Sequence, residues 1–174
     1  MRFLLACSLL LFVASAASAQ DGSTPGPGTP RVDTRPVKLS GPRVGVTMLT
    51  GDLADRVDEE FEAGPFISQF GWQFENRLFS TDAGLSGVTE WVLLVGGLEQ
   101  SVVLPSATFL VGLRTRSGAE LGFGPNISAA GAAYVVGAGV TFRYGDLHFP
   151  VNASVALSKD GPRISLLTGF TLVN

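Results

Sequence analysis

The stretch that decides the fold is Ala133–Ser158, AYVVGAGVTFRYGDLHFPVNASVALS. On both sides of Gly145-Asp146, apolar or aromatic side chains alternate with small or polar ones. This period of two is typical of β-strands with two unlike faces. A two-residue turn at this dipeptide pairs Tyr144 with Leu147. Because the same register gives every apolar residue an apolar partner, the turn and the side-chain pattern predict the same hairpin.

The two faces of this hairpin differ in size and polarity. The remaining pairs across it are Arg143 with His148, Phe142 with Phe149, Val140 with Val151 and Val136 with Val155. One face is therefore large and apolar, whereas the other is small, polar and rich in glycine. A water-facing sheet usually carries lysine, but Lys38 and Lys159 are the only lysines, and neither lies in a predicted strand. We expect the apolar face to meet lipid and the polar face to line a narrow lumen.

The sequence before and after this hairpin predicts further strands and one helix. Mostly alternating runs predict strands over Arg43–Thr50, Phe66–Phe79, Thr89–Gly97, Ser106–Thr115 and Ala119–Ile127, with a last strand after the turn at 159–162. The predicted loops between them are Ser80–Gly87, Gly96–Leu104 and Asn126–Gly131. Asp52 is a candidate N-cap for a helix over Leu53–Phe61, which has one apolar and one acidic face. The predicted fold is all-β, an antiparallel up-and-down β-barrel of about eight strands with one short helix after the first strand.

Two more hairpins have registers that their turns predict. Arg116-Ser117-Gly118 reads as a three-residue loop with glycine in its last position, which pairs Leu113 with Leu121 and Arg114 with Glu120. For the last hairpin we expect the pairs Leu157 with Ile164, Val155 with Leu166 and Val151 with Phe170.

The first residues predict an exported protein. Arg2 precedes an apolar run, Phe3–Val13, and Ala17-Ser18-Ala19 fits a cleavage site, so residues 1–19 read as a signal peptide. Residues 20–42 are rich in proline and glycine and predict a flexible linker. The barrel domain then covers 43–174.

Composition excludes several classes of function. The single cysteine, Cys7, lies in the predicted signal peptide, which leaves the mature chain without disulfides or thiol catalysis. The net charge is −3 without a basic run, which argues against nucleic acid as a partner. Hydrophobic residues make up 45% of the chain, yet no apolar run after the signal approaches the ~20 residues of a transmembrane helix. A barrel is the remaining way for such an exported chain to enter a membrane.

The predicted strands over residues 43–173 resemble the small eight-stranded outer-membrane barrels of bacteria. The resemblance is one of architecture and rests on no diagnostic motif. It implies an outer-membrane location, lipid as a partner, tight periplasmic turns at Arg116–Gly118 and Gly145-Asp146, and longer outer loops such as Gly51–Gly64. One departure is the end of the chain, Phe170–Asn174, because many such barrels end on an aromatic residue.

The polar faces of the predicted strands supply the candidate site residues. The residues that we expect to line the lumen are Gln69, Gln73, Glu75, Arg77, Arg114, Glu120, Arg143, His148, Asn152 and Arg163. An eight-stranded barrel has room inside for little more than side chains, and buried charges must be paired. We therefore expect Arg114 to pair with Glu120, Glu75 to pair with an arginine, and the set to form a structural polar plug rather than an ion path.

The sequence predicts no catalytic residue, no metal site and no cofactor. His148 is the one histidine, and in His148-Phe149-Pro150 a proline stands where the His-x-Ser pair of barrels that deacylate lipid A has serine. One histidine and no mature cysteine are too few for a zinc site. The acidic segment 52–62 lacks EF-hand spacing, so a solvated helix face is the better interpretation.

Two functions remain open, and they differ in which face of the sheet is wet. In the first, the chain is an outer-membrane barrel with a structural or surface-interaction role, and its outer loops contact an unidentified surface partner. In the alternative, it is a soluble secreted or periplasmic barrel that binds an apolar ligand in its interior. The scarcity of lysine in the strands and the small residues on the polar face favour the first.

Overall fold

The computed structural model describes residues 38–61, 64–144 and 147–173. The expected signal peptide, most of the expected linker and the Gly145-Asp146 turn lie outside the described residues. The elements, in chain order, are β1 Lys38–Leu49, α1 Asp52–Phe61, β2 Phe66–Ser80, β3 Leu85–Gly96, a 3-10 helix Leu98–Gln100, β4 Leu104–Thr115, β5 Ala119–Ser128, β6 Gly131–Tyr144, β7 Leu147–Leu157, β8 Arg163–Gly169 and β9 Thr171–Val173.

The strands form a closed antiparallel barrel, which confirms the predicted fold class. Consecutive strands pair from β1 to β8, and β1 also pairs with β8 and β9, which closes the sheet. β8 and β9 are two parts of one eighth strand, interrupted at Phe170. Arg43 pairs with Gly169 and Ser40 with Leu172, so the interruption lies opposite Pro42. Proline has no N–H to donate to a neighbouring strand, which explains the local break.

The register of the central hairpin is confirmed. Across β6 and β7, Tyr144 pairs with Leu147 and Arg143 with His148, and every other predicted pair is present. The three-residue loop between β4 and β5 is confirmed as well. Its last residue, Gly118, has a φ of 91°, a left-handed conformation that glycine adopts without strain.

Several strand boundaries differ from the prediction. β1 begins at Lys38 rather than Arg43, because it pairs with β2 from Lys38 to Met48. Proline is tolerated at position 42, since the eighth strand is interrupted opposite it. β3 begins at Leu85, so much of the predicted loop Ser80–Gly87 is strand. β5 ends at Ser128, one residue beyond the predicted strand and within the predicted loop Asn126–Gly131. In each case hydrogen bonding to neighbouring strands overrides the local preference of proline, glycine or asparagine for turns.

The predicted register of the last hairpin is wrong. Val155 pairs with Ile164 and Val151 with Thr168, whereas the prediction paired them with Leu166 and Phe170. The turn is tighter than expected, because eight residues rather than ten separate Val155 from its partner. It is closed by a hydrogen bond from the Ser158 hydroxyl to the Gly161 carbonyl at 2.7 Å. A shift of two residues leaves every side chain on its original face, so alternation alone cannot detect it.

The barrel has two unlike ends. We call the end with the connections 81–84, 116–118 and 145–146 the turn end. The opposite end, with the connections 50–65, 97–103, 129–130 and 158–162, is the helix end, because α1 lies across it. The Leu53 amide donates to the Asp160 carbonyl at 2.9 Å, and Leu53 and Val57 pack with Leu49 and Ile67 in a buried cluster.

The outer surface of the barrel is apolar. Large exposed side chains on this face include Phe70, Trp72, Trp91, Leu93, Phe123, Tyr134, Phe142 and Phe149. Aromatic rings on neighbouring strands contact one another, as Trp91 and Phe109 do with ring centroids 4.8 Å apart. The charged strand residues whose side chains the structure describes point inward instead. Among the described residues, no helix is long and apolar enough to cross a membrane.

Candidate functional site: the barrel interior

A charged layer crosses the interior near the turn end and is centred on Arg114. Arg114 extends from β4, its Nε donates to Glu120 on β5 at 2.8 Å, and both of its terminal nitrogens donate to Glu75 on β2. A third carboxylate, that of Glu90 on β3, lies 3.6 Å from Arg114 Nη2. The side chains of Glu75, Glu90 and Glu120 are nearly inaccessible to solvent. Hydrogen bonds join four strands here, because Asn152 on β7 also donates to Glu120, and the ion pair with Glu90 adds β3.

The three carboxylates are the one grouping of potential metal ligands among the described residues, with oxygens within 4.8 Å of one another. Carboxylate oxygens are suitable ligands for Ca²⁺ or Mg²⁺. Arg114, however, already donates to both oxygens of Glu75, and Glu120 accepts from Arg114 and from Asn152. A cation would have to replace Arg114, so these side chains form an ion-pair network rather than a metal site.

A second arginine extends this polar layer to the first strand. Arg43 on β1 is 3% exposed, and its Nε donates to Gln73 Oε1 at 2.9 Å. Its Nη2 donates to the Thr171 hydroxyl at 3.4 Å. Gln69 lies on the same inner face and accepts from the Thr47 hydroxyl at 2.7 Å. The glutamines predicted to face the lumen therefore do so and satisfy buried donors.

A separate polar group lies nearer the helix end, around Arg163. Arg163 on β8 is 7% exposed, and its Nη2 donates to Asn126 Oδ1 at 2.9 Å, while Nη1 donates to the Ser128 hydroxyl. Asn126 is oriented by the Ser106 and Thr108 hydroxyls, each 2.8 Å from its Nδ2. Among the described residues, all side-chain partners of Arg163 are neutral.

The remaining predicted residues lie at the turn end. Arg77 and His148 line a small cavity of about 280 Å³ together with Arg114 and Arg116. His148 is opposite Arg143 across β6 and β7, but the side chain of Arg143 lies outside the described ones. The residue two positions after His148 is Pro150, which carries neither a nucleophile nor a proton donor.

Sequence reasoning missed several interior residues, among them Arg43, Glu90 and Asn126. Arg43 was assigned to the first strand, and its alternation with Val44 and Val46 could have placed it inside. Glu90 was missed because Trp91–Val95 does not alternate. The structure gives the reason, since Val92 and Leu94 are buried inside the barrel while Trp91 and Leu93 are exposed outside. Both faces of β3 are apolar at this level.

The apolar side chains on β3 line a large cavity between the charged layer and α1. Its volume is about 530 Å³. The apolar part of the lining includes Leu53, Val57, Val88, Val92, Leu94 and Val135. The interior is therefore divided into a charged part near the turn end and a largely apolar part near the helix end.

Comparison with solved structures finds the same architecture in Ail, the attachment invasion locus protein of Yersinia pestis. The crystal structure of Ail gives a TM-score of 0.51 at 12% identity, over 78% of this chain and 98% of Ail. Ail in complex with the heparin analogue sucrose octasulfate gives a TM-score of 0.49 at 12% identity, over 80% of this chain and 100% of that one. No protein-family model and no curated protein matches the sequence. The chain thus has the fold of an eight-stranded outer-membrane β-barrel.

Proposed function

We propose that this chain is an outer-membrane β-barrel protein with a structural or surface-interaction role and no catalytic centre. The observation that carries the proposal is the inverted distribution of its side chains. Phe70, Trp72 and Trp91 are 49%, 44% and 50% exposed on the outer face. Glu75 and Arg114 are buried inside. This is the arrangement that a barrel surrounded by lipid requires.

The apolar outer face argues against the soluble alternative. Soluble monomers rarely expose apolar patches larger than a few hundred Å². Here the exposed apolar side chains occur on all eight strands of the barrel, from Val44 on β1 to Leu166 on β8. A soluble barrel would need these residues in its core, and the core of this barrel is already occupied by the charged layer and the apolar cavity lining.

The sequence features outside the described residues fit the same proposal. A cleaved signal peptide at 1–19 would deliver the chain across the inner membrane, and the part of the linker that precedes β1, residues 20–37, would lie on the periplasmic side. The turn end then faces the periplasm and the helix end faces the exterior. Short periplasmic turns and longer outer connections are the usual asymmetry of such barrels.

The helix end would then present the contact surface. On α1, Asp55, Asp58 and Glu59 are exposed, and Arg56 pairs with Asp160 at 2.9 Å. This acidic surface fits a basic partner better than an acidic one. The charged layer around Arg114 would serve as a structural plug that ties four strands together.

Fractionation of the expressing cells, combined with gel mobility, tests this proposal. We expect the chain in the outer-membrane fraction, with a mobility that changes when the detergent-extracted sample is heated, because a closed barrel resists detergent until it unfolds. Recovery as a detergent-free soluble protein with one mobility would refute the proposal. A control with the Leu93→Arg variant, which places a charge on the apolar face, should show reduced recovery in the membrane.

A further inference from the structure

A cavity of about 530 Å³ lies below α1, and we call it the helix-end chamber. Its two walls differ. On β3, Val88, Val92 and Leu94 provide large apolar side chains, whereas on β6 and β7 Gly137 and Ser154 provide almost none. The small residues leave the space that the large ones do not fill. Protein interiors are normally packed with few voids larger than a water molecule, so a chamber of this size is not a packing defect.

The volume and the lining of the chamber are those of a ligand site. Binding sites for small molecules have volumes of roughly 300–1,000 Å³ and are lined mainly by apolar side chains with a few placed polar groups. The volume of the chamber fits this range, and its wall on β3 is apolar, whereas polar side chains such as Gln69, Asn126 and Ser165 line other parts of it. Ordered water needs two to four polar partners, so water in the chamber gathers at its polar side chains and leaves the surface of Val92 and Leu94 for an apolar ligand.

One charged group in the chamber wall has no charged partner among the described residues. Arg163 is buried, and its hydrogen bonds to Asn126 and Ser128 use two of its five N–H groups. Buried charges in proteins are normally paired. The carboxylates of Glu90 and Glu120 also line the chamber, but they belong to the Arg114 network. An anion in the chamber would therefore be placed at Arg163 and kept away from the glutamates.

We propose that the helix-end chamber binds an amphiphile with a single acyl chain and an anionic head group, such as a long-chain fatty acid. The head group accepts hydrogen bonds from the Arg163 guanidinium. The chain packs against Val88, Val92 and Leu94, and Leu53 and Val57 of α1 cover it from the helix end. This binding of a ligand inside the barrel is separate from the contact of the outer face with lipid.

Native mass spectrometry of the barrel refolded from denaturant tests the proposal, because refolding removes lipid acquired during expression. The refolded protein in a non-ionic detergent is incubated with palmitate or with hexadecan-1-ol, which has the same chain without the charge. We expect one palmitate per barrel and binding of the alcohol weaker by about tenfold or more, since a hydrogen bond to a charged group contributes that much. Equal binding of the acid and the alcohol, or no binding of palmitate to the folded barrel, would overturn the proposal.

Two variants separate specific from non-specific binding. Arg163→Gln keeps polarity but removes the charge, and we expect it to lower the affinity for palmitate by about tenfold or more. Lys159→Gln makes the same charge change at an exposed position of the neighbouring loop and should leave the affinity unchanged. An equal loss in both variants, or no loss in either, would contradict the assignment of the head group to Arg163. Heat-dependent gel mobility verifies that each variant is folded.

A third variant tests the chamber itself without touching the charge. Ser154→Leu adds volume to the wall of small residues, and we expect it to reduce the binding of palmitate while Arg163 stays intact. Unchanged binding in the folded variant would show that the ligand lies elsewhere. A negative result in these experiments leaves the outer-membrane proposal standing, because that proposal rests on the outer face.

Discussion

Arg114 on β4 donates to Glu75 on β2 across the intervening strand, so one ion pair joins two strands that are not neighbours in the sheet. The same guanidinium holds Glu120 and lies close to Glu90. The interior is thus tied together by a network that backbone pairing does not provide. Unfolding experiments can measure how much this network stabilises the barrel, and charged substitutions can test whether lipid surrounds its outer face.

Removal of the central cation should destabilise the barrel strongly. In Arg114→Met the buried carboxylates of Glu75 and Glu120 lose their partner, and breaking a buried pair in this way costs about 3–5 kcal/mol. Urea unfolding in detergent micelles, followed by tryptophan fluorescence, measures the change in the free energy of unfolding.

A control for this variant is Lys159→Met, which removes a cation from the exposed connection between β7 and β8. Its effect should stay within about 0.5 kcal/mol, as is usual for surface positions. Similar effects of the two substitutions would mean that the Arg114 network contributes little to stability.

The turn between β4 and β5 should not tolerate a side chain at its last position. Gly118 has a φ of 91°, and an added Cβ would lie 2.4 Å from the Thr141 carbonyl oxygen. We expect Gly118→Ala to cost about 1–3 kcal/mol of stability. At Gly122 on the neighbouring strand, the nearest atom to an added Cβ is 3.6 Å away, so Gly122→Ala should fold with a stability close to that of the wild type. Reversed sensitivities would contradict this assignment of the turn.

A charge on the outer face should cost more at mid-strand than at the strand end. Leu93 and Leu85 are exposed on the same face of β3, and Leu85 is at the turn end. An arginine at the bilayer midplane costs about 2–4 kcal/mol, falling to about 0–1 kcal/mol near the interface. We therefore expect Leu93→Arg to be clearly more destabilising than Leu85→Arg when unfolding is measured in phospholipid vesicles. Equal and small effects would indicate that water surrounds this face.

The loop between β3 and β4 should loosen as the pH falls below the ordinary range of a glutamate carboxyl. The Ser68 hydroxyl and amide both donate to Glu99 and lower the pKa of this carboxyl from its ordinary value of 4.5. Because the pKa is lowered on folding, the contact stabilises the loop above the ordinary pKa and is lost as the pH falls through the lowered one. An NMR titration of the Glu99 carboxyl should give a midpoint below 4.5. In Ser68→Ala the midpoint should rise towards the ordinary value, and an unchanged midpoint would exclude the Ser68 hydroxyl as the cause.

The predictable part of this fold is the part in which alternation and turn chemistry agree. In the central hairpin, a shift of one residue would turn Phe142 and Val140 to the wrong face, so the register was determined by sequence alone. In the last hairpin, a shift of two residues leaves Val155 opposite either Ile164 or Leu166, both apolar. The length of the connection decides between them, and it depends on the conformation of Gly161, which has a φ of 120°.

The interior site was less predictable, because it depends on contacts between strands that are distant in sequence. The alternation of side chains along the strands placed Arg114 and Glu120 on one face, and their pairing across a hairpin followed from the predicted register. Glu90 on β3 belongs to the same group. The uniformly apolar run Trp91–Val95 did not indicate which side of this strand points inward. The helix-end chamber was missed for the same reason, since its apolar wall contradicts the expectation of a wholly polar lumen.

The measurement that tests the central claim most directly is the quenching of tryptophan fluorescence by lipids brominated on their acyl chains. Both tryptophans of the chain, Trp72 and Trp91, lie on the outer face. In vesicles made of such lipids we expect strong quenching of both, with little quenching by acrylamide in the water phase. Emission that brominated lipids leave unchanged and acrylamide quenches would contradict a lipid-facing outer surface.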